Sequence, residues 1–168
     1  NLKGIIMTKK NKKETPPLTS NETTDPIVIN AQFVRDLSFE APSMPTVLKQ
    51  MQENPPSIHI DVNVNTKQYE ETVFEVSLQT NAKATVGDEI AFILELEYCG
   101  VFTINCEPEA IKPMALIECP RLIFPFARSI LAQVTRDAGF PPLMLGMVDF
   151  AKMFKEEMDR VGAVKANE

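Results

Sequence analysis

The chain has no tryptophan, one histidine, six glycines and three cysteines among its 168 residues. Each shortage removes a class of function. None of the glycines falls in a phosphate-loop or dinucleotide spacing, so there is no nucleotide fingerprint. Cys99, Cys106 and Cys119 form no CxxC pair, and His59 has no second histidine beside it. No zinc-ligand set exists, and no metal or other cofactor is expected. An odd count of thiols fits a reducing, cytoplasmic setting. A nucleophilic Cys119 near a helix start is the one enzymatic alternative, and His59 is the only base it could use. No apolar run nears the ~20 residues that span a bilayer. The stretch Gly4-Ile5-Ile6-Met7 is too short for a signal-peptide core.

What is present is charge with a lopsided distribution. Lys3, Lys9, Lys10, Lys12 and Lys13 stand in the first thirteen residues without one acid. The rest carries 12 basic against 23 acidic residues, from a total net charge of −6. An acidic body excludes nucleic acid as a partner and is repelled by anionic lipid. It suits a basic protein partner, or solubility alone. Residues 1–26 read as a polar, lysine-rich tail too poor in apolar surface to offset ordering entropy. Residues 27–160 form one domain, and 161–168 a fraying end.

Periodicity supplies the fold class. From Ile27 to Glu40 the residues alternate, with Ile27, Ile29, Ala31, Phe33, Leu37 and Phe39 on one side and Arg35 interrupting the pattern. Asp36 and Glu40 share the polar face, about 13 Å apart. Prolines 42, 45, 55 and 56 then demand a long crossing loop, with one helical turn over Thr46 to Met51. Three further strands carry Ile58 to Val64, Phe74 to Leu78, and Ile90 to Tyr98 after a Gly87-Asp88 turn. Their short connections mean antiparallel pairing with one covered and one wet face. From Glu109 the period becomes helical. Prolines 113, 120 and 125 should break or kink that stretch into segments, Gly139 should end it, and Asp149 should cap a last helix that frays after Gly162. The expectation is an α+β domain: a four-stranded antiparallel sheet with two C-terminal helices on one face. The long helix is apolar over more of its surface than one sheet would cover, which points to contacts between copies.

Two features could carry function. Phe140-Pro141-Pro142-Leu143-Met144-Leu145-Gly146-Met147 is an extended apolar segment rich in methionine, a side chain that adapts to many shapes. Core packing and a groove wall both fit it. The acids Asp36, Glu40 and Glu95 stand on wet strand faces, where solvated surface and a docking patch are both open readings. No catalytic residue set is visible.

Several segments together resemble the SecB family of protein-export chaperones. These are Asp36-Leu37-Ser38-Phe39-Glu40-Ala41-Pro42, Cys119-Pro120-Arg121-Leu122-Ile123-Phe124-Pro125-Phe126-Ala127-Arg128, and Phe140-Pro141-Pro142-Leu143-Met144-Leu145 followed by Val148-Asp149-Phe150. Ala91-Phe92-Ile93 through Gly100-Val101-Phe102 fits as well, and the likeness runs in order from Ile27 to Met158. The lysine-rich tail departs from the family's short acidic one.

The resemblance implies the fold already derived and a homotetramer built as a dimer of dimers. It implies an ATP-independent holdase, not an enzyme, that binds unfolded preproteins in the cytoplasm and delivers them to the translocation ATPase SecA. It implies that Asp36, Glu40, Ile93 and Glu95 dock the basic zinc-binding tail of SecA. It also implies a client groove lined by Ile60, Val62, Phe126, Phe140, Leu143, Met144 and Leu145. A SecB-like chaperone serving a toxin–antitoxin pair is the rival within the same family likeness.

Overall fold

The computed structural model describes residues 25–165. All but the last two residues of the expected N-terminal tail, and residues 166–168, lie outside this range. Four strands, β1 (Ile27–Glu40), β2 (Ser57–Gln68), β3 (Val73–Val86) and β4 (Glu89–Ile104), form one antiparallel sheet in the order β1-β4-β3-β2. The crossing loop between β1 and β2 holds α1 (Val47–Glu53), slightly later and longer than the single expected turn. After β4 come α2 (Pro108–Pro113), a π-helical turn (Met114–Glu118), α3 (Cys119–Asp137) and α4 (Phe150–Lys165). None of these helices is long and apolar enough to cross a membrane.

The helices cover one sheet face. Phe74, Val76, Leu78, Phe92, Leu94, Leu96 and Phe102 are buried beneath them. The half-buried Ile60, Val62 and Val64 of the edge strand β2 extend this face. Gly100 of β4 lies under Ile123 of α3, and an added Cβ would stand 3.0 Å from Ile123 Cγ2 and 2.5 Å from the Phe102 ring. Only glycine lets helix and sheet approach this closely.

β1 departs from simple alternation. Its register against β4 shifts between Ile29 and Ala31 and again between Val34 and Asp36, making Asn30 and Arg35 extra residues in the strand. Directly opposed residues share a face. Gln32 (opposite Gly100) and Val34 (opposite Tyr98) therefore take the helix side, while Ala31 and Phe33 turn to the open face. The expected apolar row Ile27, Ile29, Ala31, Phe33, Leu37, Phe39 is corrected in its middle. Two bulges exchange the faces and then restore them.

The proline-rich helical stretch is segmented after Pro113 by the π turn, not broken. Pro113 and Pro120 flank the π turn, whose wider winding reassigns the carbonyls that a proline cannot serve. The path is continuous from Pro108 to Asp137. Gly139, at φ +87°, ends α3 as expected, with Phe140 N–H donating to Thr135 O at 3.0 Å. Asp149 caps α4, its Oδ1 accepting from Lys152 N–H at 3.0 Å. α4 runs to Lys165.

Candidate functional site

The acidic patch is assembled by strand pairing. In the β1–β4 ladder Asp36 faces Glu97, Ser38 faces Glu95, and Glu40 faces Ile93. Asp36, Glu40, Ile93 and Glu95 therefore share the open face of two adjacent strands, away from the helices. Asp36, Glu40 and Glu95 are exposed and Ile93 is half-buried among them. Glu97, which alternates with Glu95 on the same strand face, adds a fourth acid.

Beside the patch the open face is drier than alternation suggests. Glu75, Ser77 and Cys99 are buried there. Arg35 reaches from β1 across β4 to Glu75 on β3, its Nη1 and Nη2 donating to Glu75 Oε1 and Oε2 at 2.7 and 2.8 Å. Tyr69 Oη donates to Glu75 Oε2 at 2.9 Å, and Arg35 Nη1 stands 3.4 Å from Glu97 Oε1. The Arg35 hydrogen bonds hold the Glu75 carboxyl below its ordinary range, against the opposing effect of burial. Burial pushes the Cys99 thiol up to about 11. A two-toothed ion pair of this kind is geometrically demanding.

The apolar segment after α3 divides residue by residue. Phe140, Leu143 and Leu145 are buried, whereas Met144 is 60% and Met147 89% exposed. Leu143 N–H donates to Thr135 Oγ1 at 2.8 Å, and that hydroxyl donates to Leu131 O at 2.9 Å, tying the segment to the end of α3. Phe140 closes an aromatic trio, its ring centroid 5.1 Å from Phe92 and 6.1 Å from Phe39. A cavity of about 300 Å³ opens between this segment and the crossing loop, lined by Phe140, Leu143, Met144, Met51, Pro56 and Ile58 among others. A second, of about 610 Å³, runs along α3 past Phe124, Pro125, Arg128 and Met147, and Met144 lines it too.

Of the seven expected groove residues, Phe140, Leu143 and Met144 thus meet at one cavity. Leu145 packs into the core. Ile60 and Val62 stand half-buried on β2, and Phe126 stacks on Tyr98 at 6.3 Å between centroids. None of these last four lines that cavity. Met51, Pro56 and Ile58 are not among the expected groove residues, and no local pattern marks them.

Cys119 is fully buried, and burial pushes its thiol up to about 12. The helix continues behind it through the π turn, so no free helix start stabilises a thiolate, and the expectation of one there is corrected. His59 stands on the open face with its imidazole 79% exposed, 3.2 Å from Asp61. Among the described residues no cluster of three or more His, Cys, Asp or Glu could hold a metal ion.

The comparisons with known proteins bear on the family and the fold. The family described as SecB, preprotein translocase subunit SecB, matches residues 20–161. A protein-export protein SecB of Nitrobacter hamburgensis is 45% identical, over 90% of this chain and 94% of its own. That of Mesorhizobium japonicum is 50% identical, over 76% of this chain and 77% of its own. Among solved structures, a SecB-like chaperone of Mycobacterium tuberculosis, in complex with a peptide from an antitoxin, superposes with a TM-score of 0.62 at 12% identity. It covers 73% of this chain and 90% of its own, and shares the fold. With 142 consecutive residues in the family match and close relatives along nearly the whole chain, this protein belongs to the SecB family of protein-export chaperones.

Proposed function

We propose that this export chaperone holds unfolded preproteins in the cytoplasm, without ATP, and hands them to SecA by docking the basic zinc-binding tail of that ATPase on the Asp36–Glu40–Ile93–Glu95 face. The observation that carries the docking half is the ladder register. Three exposed acids and one apolar side chain stand on one sheet face, with no helix of the described residues over them. Such a patch costs little to keep solvated, steers a basic segment toward itself and offers Ile93 as an apolar contact on arrival.

The holding half is supported by the apolar segment after α3. Met144 lines both cavities, with Phe140 and Leu143 beside it at the smaller and Met147 at the larger. Flexible thioethers on an irregular backbone accommodate unrelated apolar segments. One protomer offers only short footholds, so capture of a long client draws on several copies acting at high effective concentration. The exposed Leu122 and Phe126 of α3 support assembly of a homotetramer, a dimer of dimers. The relatives' names favour export over service to a toxin–antitoxin pair.

Titration of the zinc-loaded SecA tail into wild type and into Asp36→Lys/Glu40→Lys, by calorimetry at low and moderate salt, tests the docking assignment. Binding that weakens with salt and vanishes in the double variant is expected. Equal binding by both proteins would remove the acids from the function.

A further inference from the structure

We infer that Arg35 is a positioning residue for partner docking: its two-toothed contact with Glu75 pins the β1 bulge that turns Asp36 and Glu40 to the open face. This rests on the docking reading above and adds to it a residue outside the patch.

Gln32 and Val34 lie on the helix side, opposite Gly100 and Tyr98. Continued without an extra residue, that alternation would carry Asp36, Ser38 and Glu40 toward the helices and Leu37 and Phe39 to the open face. Arg35 is the residue in excess. After it the acids face outward, and Phe39 faces inward to stack on Phe92 at 5.6 Å. Among the described residues β1 is an edge strand paired with β4 alone, so a bulge there can migrate at small cost unless something marks its place. Arg35 marks it by crossing β4 to Glu75 of β3, a buried carboxylate that Tyr69 also orients. The planar guanidinium matches a carboxylate in one orientation, which lysine does not reproduce.

Charge alone predicts the opposite sign. Arg35 is the cation nearest Glu97, at 3.4 Å, beside the acidic patch. Removing it would make the surface more negative and strengthen attraction to a basic tail. Positioning predicts weaker docking.

The test is calorimetric titration of the zinc-loaded SecA tail into wild type, Arg35→Lys, Arg35→Met and Arg35→Met/Glu75→Met. The last variant conserves net charge and leaves no buried carboxylate unpaired. Amide hydrogen exchange over residues 31–40 and client binding are followed in parallel. Docking at least tenfold weaker is expected in Arg35→Met and in the double variant, with Arg35→Lys intermediate. Exchange should rise in 31–40 only, and client binding should hold. Unchanged or tighter docking in the double variant overturns the inference, and so does loss of its cooperative fold, which would make the pair a fold requirement instead. Asp36→Lys/Glu40→Lys separates the two levels. If that control binds normally, the docking reading fails and takes this inference with it. If the control loses binding while the Arg35 variants keep theirs, this inference alone fails.

Discussion

The end of β1, Asp36 to Glu40, and the segment Phe140 to Met147 make an instructive pair. Both are short stretches beside the same aromatic trio of Phe39, Phe92 and Phe140, and both carry residues proposed to meet a partner. In β1 a ladder fixes direction. Once Arg35 has reset the register, every second side chain goes to the open face, and Asp36, Ser38 and Glu40 follow together. The segment after α3 has no ladder, and each side chain is placed by its own contacts. Leu143 and Leu145 sink into the core while Met144 between them stands in solvent. Where a strand partner exists, residue spacing predicts a shared surface. Where none exists, apolar composition predicts only that some of the side chains will be buried.

The strongest break of this comparison is charge reversal at the ladder end. Asp36→Lys/Glu40→Lys should reduce docking of the SecA tail by about a hundredfold or more, because like charges then face one another. Both sites are exposed, so circular dichroism and native mass should stay as in wild type. Next comes the split within the apolar segment. Leu143→Asp places an unpaired acid in the core and should cost several kcal/mol, seen as a collapse of the denaturation midpoint. Met144→Asp should change stability by no more than about 0.5 kcal/mol while weakening retention of an unfolded client in a refolding-delay assay. Equal destabilisation by the two substitutions would mean that the segment is uniformly core.

A smaller effect checks the sheet beneath α3. Gly100→Ala should cost about 1–3 kcal/mol in urea denaturation, because the new methyl presses on Ile123 and Phe102. The smallest concerns pH. Glu75 is held below its ordinary value near 4.5 by Arg35, so its ionised form contributes stability above that value. The contribution is lost as pH falls through the lower folded value. The stability gap between wild type and Glu75→Gln should therefore be full at pH 7 and close in acid. A gap independent of pH would detach Glu75 from the ion pair.

Much of this architecture was legible in the residues, for physical reasons that also mark the gaps. Alternation in β2, β3 and β4, the Gly87-Asp88 turn, the glycine ending α3 and the Asp149 cap each act within a few residues, and spacing exposes them. The acid pair at 36 and 40 was readable because both follow the second bulge. Ala31 and Phe33 were assigned to the wrong face because a bulge adds a residue without a sequence mark. Only the second bulge carries a trace, Arg35, a charge interrupting the apolar row. Pro113 and Pro120 look like breaks until a π turn absorbs them. Cys119 looked like a helix start because the turns before it were read as a separate piece. Neither the burial of Leu145 nor the part of Met51, Pro56 and Ile58 in the cavity leaves a local signature. Those depend on which distant segment arrives.

The central claim is that one chain carries two separate surfaces, an acidic sheet face for the partner and an apolar groove on the helix side for the client. Native mass spectrometry of the chaperone saturated with an unfolded preprotein, then titrated with the zinc-loaded SecA tail, tests it most directly. The account predicts a ternary complex in which both remain bound, with Asp36→Lys/Glu40→Lys losing only the tail and Met144→Asp weakening only the client. Displacement of the client by the tail, with no ternary species at any concentration, would place both on one surface and contradict it.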